Sequence, residues 1–172
     1  LLPAICLKAQ SGRANPIGNY LSMMQGISLD KLYMDLDTSP EDGINGEGYL
    51  YNITTDSLTV DTLGIDLKHG SDGLDFLAEV ISTPKPEQEA FEIDLDGNIG
   101  NGKAQILLQY LNEKKEKGIY LGLNAALGRR GIRMKLFPEN PTLVYRPFQL
   151  NERNYIYLAD RGRIFGDVRL FD

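Results

Sequence analysis

Between Phe91 and Leu136 apolar and polar residues alternate almost without a break. Phe91, Ile93 and Leu95 are separated by Glu92 and Asp94, with Asp96 next. Ala104, Ile106, Leu108 and Tyr110 alternate with Lys103, Gln105, Leu107 and Gln109. Ile119, Leu121, Leu123, Ala125 and Leu127 follow, interleaved with Tyr120, Gly122 and Asn124. Ile132, Met134 and Leu136 then enclose Arg133 and Lys135. Side chains of a strand point to opposite faces with period two, so these runs predict strands that present one apolar and one polar face to a single sheet. Turns are expected at Gly97 to Gly102, Asn112 to Gly118 and Gly128 to Gly131, and Pro84 to Glu89 reads as a polar, proline-bearing loop.

The same rule predicts strands at Leu32 to Asp37, Gly48 to Ile53, Leu74 to Ile81, Leu143 to Leu150, Tyr155 to Leu158 and Ile164 to Phe171. Ser57 to Leu67 also reads as strand, but its apolar set changes phase, from Leu58 and Val60 to Leu63, Ile65 and Leu67. A phase change inside one strand predicts a bulge or bend. Pro147 demotes its strand toward an edge or a break. Before the strands, Asn15 suits an N-cap, Pro16 a first helical position and Gly26 a left-handed stop. Ile17, Tyr20, Leu21 and Met24 then form one stripe on a short helix over about 16–25, which must pack on something to persist. No helix of crossover length separates the strands, so pairing is expected to be antiparallel. The fold class is therefore mostly β, a strongly coiled sheet of long strands running from about residue 31 to 171 in one domain.

Bulk properties narrow the function. The chain has 172 residues, 42% hydrophobic and 24% charged, which is enough for a folded domain. A net charge of −6 argues against nucleic acid, whose phosphates need a basic surface. Leu1 to Leu7 is too short to span a bilayer and has no basic leader. With no initial Met and a strand-like run close to its charged end, the chain reads as a fragment of something longer. One cysteine, Cys6, allows no internal disulfide and no thiolate cluster.

Catalytic constellations fail one by one, so no enzyme is expected. The one histidine, His69, sits in a Lys-His-Gly-Ser turn and reads as a solvated loop residue. With one His and one Cys, zinc would have to rely on carboxylates. Neither a Gly-x-Ser-x-Gly elbow nor a phosphate-binding Gly-x4-Gly-Lys-Ser/Thr loop occurs. Asp94 to Gly100 mimics the start of an EF-hand loop, but Ile99 stands where glycine must turn the chain and Gln105 where a bidentate Glu is needed. A hairpin turn is the expected account, with no metal and no cofactor. Lys114 to Lys117 reads as a solvated hairpin tip, and Arg129 and Arg130 close another turn.

The succession of Leu-Tyr-Met-Asp-Leu-Asp-Thr-Ser-Pro (32–40), Gly-Tyr-Leu-Tyr-Asn-Ile-Thr-Thr-Asp-Ser-Leu (48–58), Gly-Ile-Tyr-Leu-Gly-Leu-Asn (118–124), Phe-Pro-Glu-Asn-Pro (137–141), Asn-Tyr-Ile-Tyr-Leu (154–158) and Gly-Arg-Ile-Phe-Gly-Asp-Val-Arg-Leu (162–170) resembles the AsmA/TamB-like envelope proteins of Gram-negative bacteria. Within them it is most similar to an internal β-domain of the translocation and assembly module. The resemblance covers most of residues 26–172 and rests on degenerate strand-and-turn patterns. It implies an open, taco-like half-barrel with an apolar interior, in a periplasmic protein anchored in the inner membrane. It further implies phospholipid acyl chains as ligand, an outer-membrane assembly factor of the TamA type as partner, and a role in lipid transfer or outer-membrane protein assembly. No catalytic residue comes with it. The groove-lining candidates are Phe91, Ile93, Leu95, Ile106, Leu108, Ile119, Leu121, Leu123, Ile132, Met134 and Leu136. The competing expectation is a closed β-sandwich or barrel serving adhesion or glycan binding. There Tyr145, Tyr155 and Tyr157 are the clustered aromatic candidates, since Trp is absent. A third reading has the strand edges template other strands by β-augmentation.

Overall fold

The computed structural model describes residues 27–55 and 57–172. The helix expected over about 16–25, and Cys6, lie outside the described residues. Strands β1 (Lys31–Ser39), β2 (Gly43–Thr54), β3 (Thr59–Gly70), β4 (Gly73–Ser82), β5 (Phe91–Gly100), β6 (Lys103–Asn112), β7 (Lys117–Gly128) and β8 (Gly131–Leu143) follow one another as an antiparallel meander. Two segments share the far edge of β8: the short β9 (Arg146–Pro147) and the longer β11 (Tyr155–Ala159). β12 (Ile164–Asp167) pairs with β11 and ends the order, while β10 (Gln149–Leu150) and β13 (Leu170–Phe171) form a separate two-stranded ribbon. The large sheet has 11 strands and is open, with β1 at one end and β12 at the other. It is neither closed into a barrel nor sandwiched against a second broad sheet. At about 4.8 Å per strand, its ten-strand path is about 43 Å wide.

Register keeps the two faces separate across the whole width. Leu36 lies opposite Gly46, Gly46 opposite Leu67, Leu67 opposite Phe76 and Phe76 opposite Gly97. The row continues through Ile106, Leu123 and Leu136. Every member projects to the same side, because directly paired residues share a face. Several glycines within the sheet, Gly64 and Gly122 among them, are roofed by aromatic rings from the neighbouring strand. The Phe137 ring occupies the space a Cβ on Gly122 would need, and the Tyr49 ring lies 2.8 Å from where a Cβ on Gly64 would sit, too close for any side chain there. A ring laid over a strand glycine restores packing that the missing side chain forfeits.

Several expected boundaries move. β5 continues through the expected Gly97 turn to Gly100, and Asn101 and Gly102, both at positive φ, make the tight connection. Phe-Pro-Glu-Asn-Pro is not a strand end. β8 runs through it, and residues 138–141 form a wide bulge opposite Leu121 alone, since Tyr120 pairs with Thr142 and Gly122 with Phe137. Pro141 is buried there. The pairing of β3 with β2 skips one step, between Tyr51–Thr62 and Ile53–Val60, where Asn52 has positive φ, so the expected irregularity lies at Asn52 and Asp61 and shifts no register. Val60, just past that step, is buried, and Leu58 precedes the strand. The run Leu143 to Leu150 divides into the end of β8, a turn at Val144 and Tyr145 with positive φ, and then β9 and β10. Ile164 to Phe171 likewise splits into β12 and β13. Asn151 causes that break by engaging both sides of it: its Oδ1 accepts from the Arg169 N–H at 2.9 Å and its Nδ2 donates to the Asp167 carbonyl at 3.2 Å.

Two polar clamps fasten the ends of the strands. Asn154 is buried just before β11 and behaves as one more strand residue. Its Oδ1 accepts from Leu136 N–H at 2.8 Å and its Nδ2 donates to Leu136 C=O at 3.2 Å. At the β4–β5 connection, Asp61 of β3 accepts from the Thr83 N–H, from Thr83 Oγ1 at 2.7 Å and from Lys85 Nζ at 2.6 Å. The hydrogen bond from Lys85 and that from the Thr83 backbone pull the Asp61 carboxyl down to about 2.

Asn154→Ala strips both backbone groups of Leu136 of their partner, so it should cost about 2 kcal/mol in a denaturant titration. Asn154→Asp should be no better, because it cannot donate to the carbonyl. Asp61 has a folded pKa below its unfolded value near 3.9, so its contribution is complete above about pH 4 and vanishes as pH falls toward 2. Asp61→Asn should therefore cost about 1 kcal/mol at pH 7, a figure discounted for partial exposure, and nothing near pH 2. Equal losses at both pH values would mean the charge is irrelevant.

Candidate functional site

The apolar face is the most extended feature of the molecule. Leu95 pairs with Leu108 and Leu108 with Leu121, and on either side run Ile93–Tyr110–Ile119 and Ile106–Leu123–Leu136. Ile132 and Met134 continue the face toward β11 through Leu158 and Ile156. Phe91 closes it at the start of β5, opposite Ser82 and Asn112. Thus Phe91, Ile93, Leu95, Ile106, Leu108, Ile119, Leu121, Leu123, Ile132, Met134 and Leu136 all stand on one face, and each is half-buried.

No second layer covers them among the described residues. The buried apolar side chains of the described residues are Val60 and Leu150, with Pro141, and none of these lies among the candidates. What shelters the candidates is the neighbouring strands' side chains. Toward the sheet ends even that is lost: Met34 is 62% exposed, Leu127 67% and Ile164 70%. Natural monomers rarely leave so broad an apolar surface bare.

The face is wider than sequence reasoning drew it. Leu32, Met34 and Leu36 of β1 join it, as do Leu50, Leu63, Ile65, Leu67, Leu74, Phe76 and Val80. Each alternates in the sequence just as the candidates do. Knowing that they share a face with Leu95 requires the intervening registers, which alternation does not supply.

The opposite face carries charge. Glu79, Glu92 and Asp94 bring one carboxylate oxygen each within 4.8 Å of the others. Burial first, and then the Asp94 charge, push the Glu79 carboxyl up; burial and the Glu92 charge do the same to Asp94. Lys115 pairs with Glu92, and Gln109 Nε2 donates to Asp94 at 3.2 Å. Calcium takes six to eight oxygens, and three carboxylates from straight strands supply too few. The EF-like Asp94 to Gly100 run is itself part of β5, so Asp94, Asp96 and Asn98 line one face while Leu95 points to the other. His69 is exposed at the end of β3, its N–H donating to Asn45 Oδ1 at 2.8 Å. Its ring lies over Gly43. The Lys114 hairpin tip is built on Asn112, whose Oδ1 accepts from the N–H groups of Lys114 and Glu116.

Glu79→Gln should stabilise the protein at pH 7 by removing one member of a mutually repelling pair. A raised folded pKa means the cost is fully present above that pKa and disappears below the unfolded value. The gain in Tm should therefore be largest at neutral pH and fade as pH falls through about 4. A gain that is constant with pH would assign the effect to packing.

Comparison of the chain with known protein families, with curated proteins and with solved structures finds no match.

Proposed function

We propose that the chain is a non-enzymatic, lipid-handling segment whose apolar face carries phospholipid acyl chains. The observation that carries this reading is the in-register apolar face across β1–β8, β11 and β12, which lacks a covering layer among the described residues. Energetics support it. An acyl chain leaving a bilayer for water loses about 0.8 kcal/mol per methylene, or about 12 kcal/mol for sixteen carbons. A strand of ten residues spans about 33 Å, long enough to lay such a chain along rows of Leu, Ile and Met. Apolar walls sort chains by length and access rather than by headgroup, so selectivity is expected to be weak. The resemblance to AsmA/TamB-like envelope proteins agrees with this reading. It would place the segment in the periplasm of a membrane-anchored parent, passing lipid between membranes or supporting outer-membrane assembly with a TamA-type partner.

Photo-crosslinking distinguishes a lipid surface from a closed interface. A benzophenone side chain at Leu121 probes the apolar face, and the same probe at Asn124, exposed on the polar side of the same strand, is the control. With labelled phosphatidylglycerol vesicles, capture at 121 should exceed capture at 124 by roughly tenfold or more. Leu108→Asp should abolish it, since a buried carboxylate against an acyl chain is heavily penalised. Equal labelling at the two positions would sink the proposal.

A further inference from the structure

The polar face is not uniform. Over β4–β8 it carries a straight row of hydrogen-bonding side chains, Asp75 opposite Asn98, then Gln105, Asn124 and Lys135. Two residues along the strands runs a second row: Lys103, Ala126, Arg133, Tyr157 and Phe165. These rows come from β4 to β12, yet the register aligns them on one side of the sheet. The small side chain of Ala126, between Lys103 and Arg133, leaves a dip. An open hollow of about 700 Å³ forms over it, bordered by the first row, by Lys103 and Arg133 of the second, and by Asp72. A second hollow of about 410 Å³ adjoins at Arg133 and is walled by Tyr155, Tyr157 and Phe165. Arg133 lies 5.3 Å from the Tyr155 ring centre and joins the two hollows.

The polar groups are largely unspent. Asn98 donates to Asp75 at 2.7 Å. Among the described residues Gln105, Asn124, Lys103, Arg133 and Lys135 have no side-chain hydrogen bond or ion pair (the salt bridges fall at Lys85, Lys115 and Arg169). The strip therefore offers amides that both donate and accept, three cations on β6 and β8, and an aromatic wall beside β8. Hydroxyl groups need paired donors and acceptors, the C–H faces of pyranose rings need aromatic surfaces, and carboxylates or sulfates need cations. The five strands of the first row span about 19 Å, a length suited to a short linear ligand.

We infer that this strip binds an acidic oligosaccharide, with sugar hydroxyls on Gln105 and Asn124, an acid group at Lys103, Arg133 and Lys135, and a ring stacked in the Tyr155–Tyr157–Phe165 wall. A single strand of nucleic acid is the weaker occupant, because its affinity rests on neutralising phosphates, which Asp72 and Asp75 in the same hollow oppose, whereas sugar hydroxyls can donate to those carboxylates. The strip lies on the face opposite the apolar one, so it does not depend on the lipid reading.

The test is an amide NMR titration of the isotopically labelled chain with α-1,4-linked tetragalacturonate, with maltotetraose as the neutral counterpart and a thymidine decamer as the competing polymer. Shifts should cluster on residues 103–105, 124–126, 133–135 and 155–157. Maltotetraose should bind at least about tenfold more weakly. Arg133→Ala and Tyr157→Ala should each weaken binding by roughly tenfold while keeping a dispersed spectrum. Should either variant lose its fold, Gln105→Ala with Asn124→Ala, at exposed positions, reads the same strip. Silence up to about 10 mM tetragalacturonate, shifts confined to the apolar face, equal binding of maltotetraose, or tighter binding of the decamer at physiological salt would each overturn the assignment.

Discussion

Parity of register is the constraint on which this molecule depends. Each hairpin sets how one strand meets the next, and a slip of a single residue would send every apolar side chain of that strand to the charged side. Over the body of the sheet the chain meets this condition from β1 to β8, the one-residue shift that sets Leu111 opposite Lys117 falling at the end of the β6–β7 pairing, and meets it again when β8 pairs with β11. The bulge at residues 138–141 obeys it as well, since Leu136 stays with Leu123 on one side of the irregularity and Leu143 meets Ile119 on the other. Because parity is kept, apolar residues far apart in sequence merge into one surface, and so do the polar ones behind them.

With so little enclosed core, cohesion has to come from elsewhere. Ladder hydrogen bonds and cross-strand side-chain pairs are the repeating unit of stabilisation in a sheet. Rings over Gly64 and Gly122, the stacked Phe91 and Tyr110 at 6.4 Å, and the amide of Asn154 inserted beside Leu136 all serve the single layer locally. Each acts between adjacent strands only. Stability is thus spread along the sheet in modest parcels instead of being held in a central cluster.

Most strands were legible because period-two alternation is a direct imprint of a two-faced sheet. The misreadings have physical causes. Pro138 and Pro141 carry the usual marks of a turn, but a bulged strand tolerates prolines whose missing N–H would have pointed away from the ladder. The phase change at Val60 was legible, but not its position at Asn52 and Asp61, because the positive φ of Asn52 lies on the partner strand. The break at Val168 and Arg169 depends on Asn151, which no local pattern around residue 168 reveals. For the apolar face, alternation identified Phe91 to Leu136 but not its continuation into β1–β4. The polar rows were invisible to it altogether, because Asn98 and Lys135 fall into one row only through three successive registers.

A meander in which almost every strand pairs with its sequence neighbour also has a temporal meaning. Contacts between consecutive segments close short loops, and low separation of partners makes such pairing fast. Each new hairpin can dock on the last strand already in place, so the sheet can assemble progressively while the remainder of the polypeptide is still extended, as on a chain delivered from one end. Only the last section departs from this order. There β11 reaches β8 only after the chain has passed through β9 and β10, and β13 must return to β10. The carboxyl-terminal hairpins are therefore the step at which such vectorial assembly would pause.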